Sequence, residues 1–239
     1  MIVFSDKYRS EQIEIMDNLD FQGQEMKNLL DDIKSVNKWL GGNNITSGGI
    51  EKLLIGHPND KTVKILDIGC GDGELLRKCA AFGKKNNLHF ELTGIDFNEN
   101  ILNVAKMKDS NFPQIKFQKV DVLLQEELIP NCDIALCTLF LHHFSNEKIE
   151  TLLKLLLKKS STGLVINDLH RNLSAFNLFK IVSKLFLKTK TAKHDGLVSI
   201  ARGFKKRELE ILSEKIPNQQ SSIHWRWAFR YQWILKKTI

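Results

Sequence analysis

No stretch of this 239-residue chain holds about 20 consecutive apolar residues, the length a membrane-spanning helix needs. The first residues lack the basic start, apolar centre and small-residue cleavage site of a secretory leader, so none is expected. Cysteine is sparse: Cys70, Cys79, Cys132 and Cys137, with no C-x-x-C pair. A disulfide framework and a cysteine metal site are therefore not expected, no metal is expected elsewhere, and a reducing cytoplasm is the simpler setting. The chain also lacks G-x-G-x-x-G, which removes the dinucleotide fingerprint. No internal repeat or low-complexity tract stands out.

What is present is ordinary in bulk. Hydrophobic residues make up 42% and charged residues 26%, a soluble globular composition, and the length suits one sizeable α/β domain with additions. The 35 basic and 28 acidic side chains leave a net charge of +7. That sign fits a nucleic-acid binder, an enzyme for an anionic or membrane-associated substrate, or simply a lysine-rich solvated surface.

Periodicity divides the chain. Residues 9–17 and 22–40 carry helical spacing, Gly41-Gly42-Asn43-Asn44 reads as a stop, and a short helix is expected over 47–54. Strands are expected at 63–67, 89–96, 115–120, 133–138 and 163–168, with helices after the first, second and fourth. Strands separated by helices predict a parallel, doubly wound sheet. Residues 172–203 are too long for a plain crossover: an apolar helix, then a polar loop over 188–196. A helix over 205–215, a break at Pro217 and two closely joined strands, 222–226 and 229–235, complete the chain as an antiparallel hairpin.

The chemistry begins at residues 65–76, Ile-Leu-Asp-Ile-Gly-Cys-Gly-Asp-Gly-Glu-Leu-Leu. Strand, glycine turn and helix build a nucleotide-sized crevice at the carboxyl end of the first strand. Asp67 stands two residues before Gly69, and Gly71 and Gly73 follow at alternate positions, with Cys70 inside the turn. Asp96 closes the second strand in Leu-Thr-Gly-Ile-Asp-Phe, where a carboxylate can accept from ribose hydroxyls or cap the next helix. The segment resembles motif I of the class I S-adenosylmethionine (SAM) dependent methyltransferases, and Asp96 resembles their motif II acid.

That resemblance implies a Rossmann-like seven-stranded α/β sheet with a terminal antiparallel hairpin and a helical cap, and SAM as cofactor. It implies that Asp67, Gly69, Cys70, Gly71, Gly73 and Asp96 surround SAM. Phe97 and Ile101 would flank the adenine, Asp121 would take its amino group, and the backbone of Val122 would meet its ring. A loop cap is the alternative for Asp121. Residues Thr138-Leu-Phe-Leu-His142-His143-Phe144 resemble motif IV of small-molecule methyltransferases, and no Asn/Asp-Pro-Pro-Tyr is present. Thr138 would border SAM. An imidazole near neutrality can remove a phenol proton, so His142, His143 and, from the cap, His194 are candidate bases; a structural role for both motif IV histidines stays open. Asp168, His170, Arg171 and Arg202 are candidate acceptor-binding residues.

Asn37-x-Trp39-Leu40-Gly41-Gly42, Asn167-Asp168-Leu-x-Arg171, His194-Asp195-Gly196 and Arg202-x-Phe204 together resemble a bacterial small-molecule subgroup that often accompanies type III polyketide synthases. The expected organisation is a helical cap segment over 1–60 and a methyltransferase core over 61–239, with the cap insertion at about 172–203. The expected activity is O-methylation of a small phenolic or lipid-like metabolite. Carbon methylation of a quinone precursor at a membrane surface, RNA methylation or nucleic-acid binding, and non-catalytic SAM binding are the alternatives. The expected partner is a small-molecule acceptor, with membrane-surface contact possible and no nucleic acid.

Overall fold

The computed structural model describes residues 2–18, 20–58, 61–108 and 112–238. Two helices come first, α1 (Gly23–Trp39) and α2 (Gly42–Leu53). The core strands are β1 (Val63–Ile68), β2 (Phe90–Asp96), β3 (Ile115–Lys119), β4 (Cys132–Thr138) and β5 (Ser160–Leu169). Helices α3 (Glu74–Lys85), α4 (Glu99–Lys108) and α5 (Asn146–Lys159) follow β1, β2 and β4. Three further helices, α6 (Leu173–Phe186), α7 (Lys190–Arg202) and α8 (Lys206–Glu214), precede β6 (Gln219–Arg226) and β7 (Arg230–Lys237).

The strands form one seven-stranded sheet in the order β3-β2-β1-β4-β5-β7-β6. The first five are parallel, and β7 inserts antiparallel between β5 and β6. This is the Rossmann-like α/β fold with its terminal hairpin. Central strands buried on both faces read as continuous apolar runs, and β1 shows why the run still alternates. Leu66 and Ile68 join the layer of α5 leucines and Trp233, while Val63 and Ile65 join the layer of α2 and α3 with Ile50, Leu76 and Cys79. The strand reversal between β1 and β4 leaves a crevice at the carboxyl ends, where ligands of open α/β sheets bind.

Three local expectations need correction. Residues 9–17 are not a helix; only Ile15–Asp17 form a short 3₁₀ turn. Their polar groups go elsewhere: Arg9 donates to the carbonyls of Arg202 and His142, and the Ile15 and Met16 amides donate to Asp195. Tertiary hydrogen bonds outcompete a short isolated helix, which is marginal in water. The Gly41–Asn44 stop is a single left-handed residue, Gly41 at φ 66°, and α2 starts at once at Gly42. The polar stretch 188–196 is not a loop but mostly the first half of α7. Thr189 caps it by accepting from the Ala192 amide, and the Asp32 carboxylate accepts from the Lys188 and Thr189 amides. Gly196 lies where α7 crosses Phe179 of α6 with no room for a Cβ.

Among the described residues no helix is long and apolar enough to cross a membrane. The four cysteines are free and buried.

Candidate active site

A cavity of about 560 Å³ opens above the carboxyl ends of the strands. Its walls come from the glycine loop, α1, the segment around Met16 and Asp17, the 141–143 turn, α6, α7 and the 227–230 hairpin end. The volume suits a drug-sized ligand.

The glycine loop takes a conformation few side chains tolerate. Gly69, Gly71 and Gly73 have φ of 68°, 55° and 78°. A Cβ on Gly69 would overlap the Phe140 ring, whereas space beside Gly71 is open. Asp96 ties the loop to β2: one carboxylate oxygen accepts the Gly71 N–H at 3.1 Å, the other the Asn98 N–H at 2.9 Å. Burial raises the Asp96 pKa against those two hydrogen bonds. Asp67 is deeper still. Burial and then the charge of Asp96 push it up to about 8.

Of the residues expected around a cofactor, Asp67, Gly69, Cys70, Gly71, Asp96, Phe97, Asp121, Val122 and Thr138 all line the cavity. Gly73 does not; it caps α3, packed under Phe117 and Arg77. Asp121 both borders the cavity and accepts from the Leu123 amide, so the loop-cap contact is real as well. Thr138 shares a hydrogen bond with Thr46 of α2 at 3.0 Å.

The two motif IV histidines occupy different environments. His142 is 2% exposed. Its Nδ1 meets Asp168 Oδ1 at 2.7 Å. Its Nε2 stands 3.3 Å from Glu14 Oε1, at ion-pairing distance but in poor hydrogen-bond geometry. Burial disfavours the imidazolium, yet the charge of Asp168, the bond to it and the nearby Glu14 carboxylate carry its pKa up to about 9. For Asp168 and Glu14 burial is likewise the largest single influence, but it is outweighed by His142 together with His143, the Leu169 amide at Asp168 and Ser199 at Glu14, so both sit below the usual carboxylate range. His142 is thus an imidazolium clamped between two carboxylates. His143 is 16% exposed at its side chain and lines the cavity. Its Nδ1 meets Asp17 Oδ2 at 3.0 Å. A carboxylate only accepts, so the hydrogen of this bond sits on Nδ1, while Nε2 stands 4.0 Å from Glu14 Oε2.

Glu14, His142 and His143 each bring a ligand atom within 4.8 Å of the others, a spacing that can hold a metal ion. A cation there must displace the proton that His142 shares with its carboxylates.

The other candidates separate. His170 lines the cavity, its pKa lowered by burial and then by Lys205. Asp168 lies beneath His142, off the cavity wall. Arg171 is buried behind the wall, held by Glu208 at 2.7 and 2.9 Å and by the Gly203 carbonyl. Arg202 donates to the carbonyls of His142, His143 and Gln12, stapling the histidine turn to the N-terminal segment. His194 is half-exposed and outside the cavity wall. Its Nδ1 meets Asp195 Oδ1 at 2.8 Å. The sequence reading missed Glu14, Asp17 and Arg230. The acids lie in the 9–17 segment, whose helical spacing carries no site motif, and Arg230 lies in the hairpin.

The family described as Methyltransferase domain matches residues 65–159. A ubiquinone biosynthesis O-methyltransferase from Glaesserella parasuis serovar 5 (strain SH0165) is 32% identical over 151 residues, 58% of this chain. The chain thus spans 61% of that relative's length. The crystal structure of the plantazolicin methyltransferase BpumL, with a triazolic desmethylPZN analog and SAH, superposes with a TM-score of 0.66 at 18% identity, covering 90% of each chain. Magnesium protoporphyrin IX methyltransferase (ChlM) from Synechocystis PCC 6803, with SAH, gives 0.55 at 15% identity, covering 97% of this chain and 91% of that one. Residues 65–159 thus match a methyltransferase-domain family, and the chain shares its seven-stranded α/β fold with these solved methyltransferases.

Proposed function

We propose that this protein transfers a methyl group from SAM to the oxygen of a small phenolic or lipid-like acceptor, with His143 as the base. The observation that supports the reading is the His143–Asp17 pair on the cavity wall, which fixes the ring by a 3.0 Å contact at Nδ1. His142, already protonated and enclosed, is a positioning residue.

The residues fit the cofactor. The open space at Gly71 admits a nucleoside edge without a Cβ in the way. Asp96 faces the same space with lone pairs left for ribose hydroxyls. Asp67 is a buried carboxyl that an ammonium group would hold ionised. SAM, when bound, supplies an electrophilic methyl on a sulfonium that is its own leaving group. The protein's task is then alignment and one proton. Asp17 holds the imidazole, His143 Nε2 takes the acceptor's hydroxyl proton, and the apolar walls from Leu29, Ile33, Leu178 and Phe179 keep water out. In this reading the N-terminal segment and residues 172–203 form the cap. The resemblance of the Asn37–Gly42 and Asn167–Arg171 segments to a polyketide-associated subgroup supports a polyketide-like phenol.

The decisive test is calorimetric titration of SAM into Asp96→Ala. Two charge-assisted hydrogen bonds, each about 1.5–3 kcal/mol, are removed. Affinity should fall by at least about tenfold, and a change under about fivefold would reduce Asp96 to a cap.

A second reading, carbon methylation at a membrane surface, is favoured by the outer face of α6. Ile181, Leu185 and Phe186 are exposed there beside Lys180, Lys184 and Lys188, a pattern of interfacial helices. Cosedimentation with anionic vesicles separates the two readings.

A further inference from the structure

The Asn37–Gly42 segment takes no part in the glycine loop, yet it is built around one side chain. Arg230, the first residue of β7, is 2% exposed and lies on the cavity wall. Its Nη2 donates to Asn37 Oδ1 at 2.8 Å. A Cβ at Gly42 would stand 2.7 Å from Nη1, so glycine is what leaves the guanidinium its place. Nε and Nη1 have no hydrogen-bond partner among the described residues. The contrast is Arg171, equally buried, which has Glu208 at 2.7 Å.

A buried charge is expensive unless paired. Asp168 is the acid whose field reaches Arg230, but its oxygens are already committed to His142 Nδ1–H, the His142 amide and the Leu169 amide. Arg230 is thus a cation held in position by an amide and a glycine, with donors to spare. The same wall carries Asn43, Trp227 and Phe229, a surface for an aromatic ring with an anionic edge. Guanidinium recognises such an edge by its paired N–H groups.

We infer that Arg230 is an anion subsite of the acceptor pocket and that the acceptor is an aromatic carboxylate. This rests on the cavity being the acceptor site, and it narrows the substrate class: the methylated hydroxyl and the carboxylate lie at different ends of one small molecule. Asn37 and Gly42 are positioning residues for the guanidinium.

The test is calorimetry on the whole chain loaded with SAH, titrating 3,4-dihydroxybenzoate against its amide, then hydroxynaphthoates against theirs. Wild type should bind at least one acid about tenfold or more tighter than its amide, the scale of a charge-assisted pair. Arg230→Met should erase that preference while leaving SAH affinity unchanged, and Arg230→Lys should keep part of it. The ligand-free Arg230→Met protein should melt no lower than wild type, because it loses an uncompensated buried charge. The proposal is overturned if wild type shows no acid-over-amide preference across the panel, or if Arg230→Met retains it. A lower melting temperature in Arg230→Met would make the guanidinium structural, and would overturn it too. Failure of SAH to bind wild type would instead sink the methyltransferase reading, since the acids can be titrated without it.

Discussion

Replacing His142 and His143 one at a time by glutamine should separate scaffold from chemistry. In His142→Gln, Glu14 and Asp168 stay buried, at 4% and 2% exposure, and lose the cation between them. Breaking a buried pair in this way costs about 3–5 kcal/mol. A second route gives a similar figure. His142 has its pKa raised to about 9 from an ordinary 6.5, and a shift of that size is worth about 3 kcal/mol. At about 2–4 °C per kcal/mol for a domain of this size, the melting temperature should fall by roughly 6–20 °C. Because the folded pKa is the higher one, this stabilisation is complete below about pH 6.5 and is lost as pH rises through 9. The gap in stability between wild type and His142→Gln should therefore close on the alkaline side. It should also shrink in acid, because Glu14 and Asp168 have lowered pKa values and their contribution goes as they protonate. His143→Gln should melt near wild type and bind SAM normally, while turnover of an accepted phenol falls about 10²–10⁴-fold. Scanning calorimetry from about pH 3 to 10 and a chromatographic assay of SAH formation read both arms. Were His142→Gln to melt within about 2 °C of wild type, or His143→Gln to retain full turnover, the assignment of roles would be wrong.

Two further substitutions probe the loop and the base. Gly69→Ala must place a methyl into the Phe140 ring at φ 68°; overpacking and left-handed strain together should cost about 2–4 kcal/mol and be visible in urea unfolding, with SAM binding lost alongside. Asp17→Asn keeps the size of the His143 partner but removes its charge. Turnover should drop at least about tenfold with SAM affinity unchanged and a shifted pH-rate profile, whereas His194→Ala, half-exposed and off the cavity wall, should lower turnover by less than either.

Much of the frame is legible in the chain because its signals are local. Apolar runs bounded by turns marked β1 to β5, and α5, at Asn146–Lys159, follows the fourth strand as expected. The glycine spacing located the loop, and Asp96 the acid that ties it. Short-range turn chemistry and hydrophobic period need only a few neighbouring residues, so sequence alone determined the sheet, the hairpin and the glycine turn at the carboxyl end of β1. It failed where long-range pairing overrode local preference: residues 9–17 gave up helical spacing for bonds to Asp195 and Arg202, and Lys190–Gly196 became helix once Asp32 and Thr189 capped it. The choice between the two histidines belongs to the tertiary structure altogether. His142 and His143 are neighbours in sequence, and their surroundings diverge because folding brings Asp168 and Glu14 to one and Asp17, 126 positions away, to the other. Arg230 and Asn37 meet across 193 positions. Charge pairing in a buried site depends on which distant carboxylates the fold delivers and how little water remains, and no local pattern carries that information.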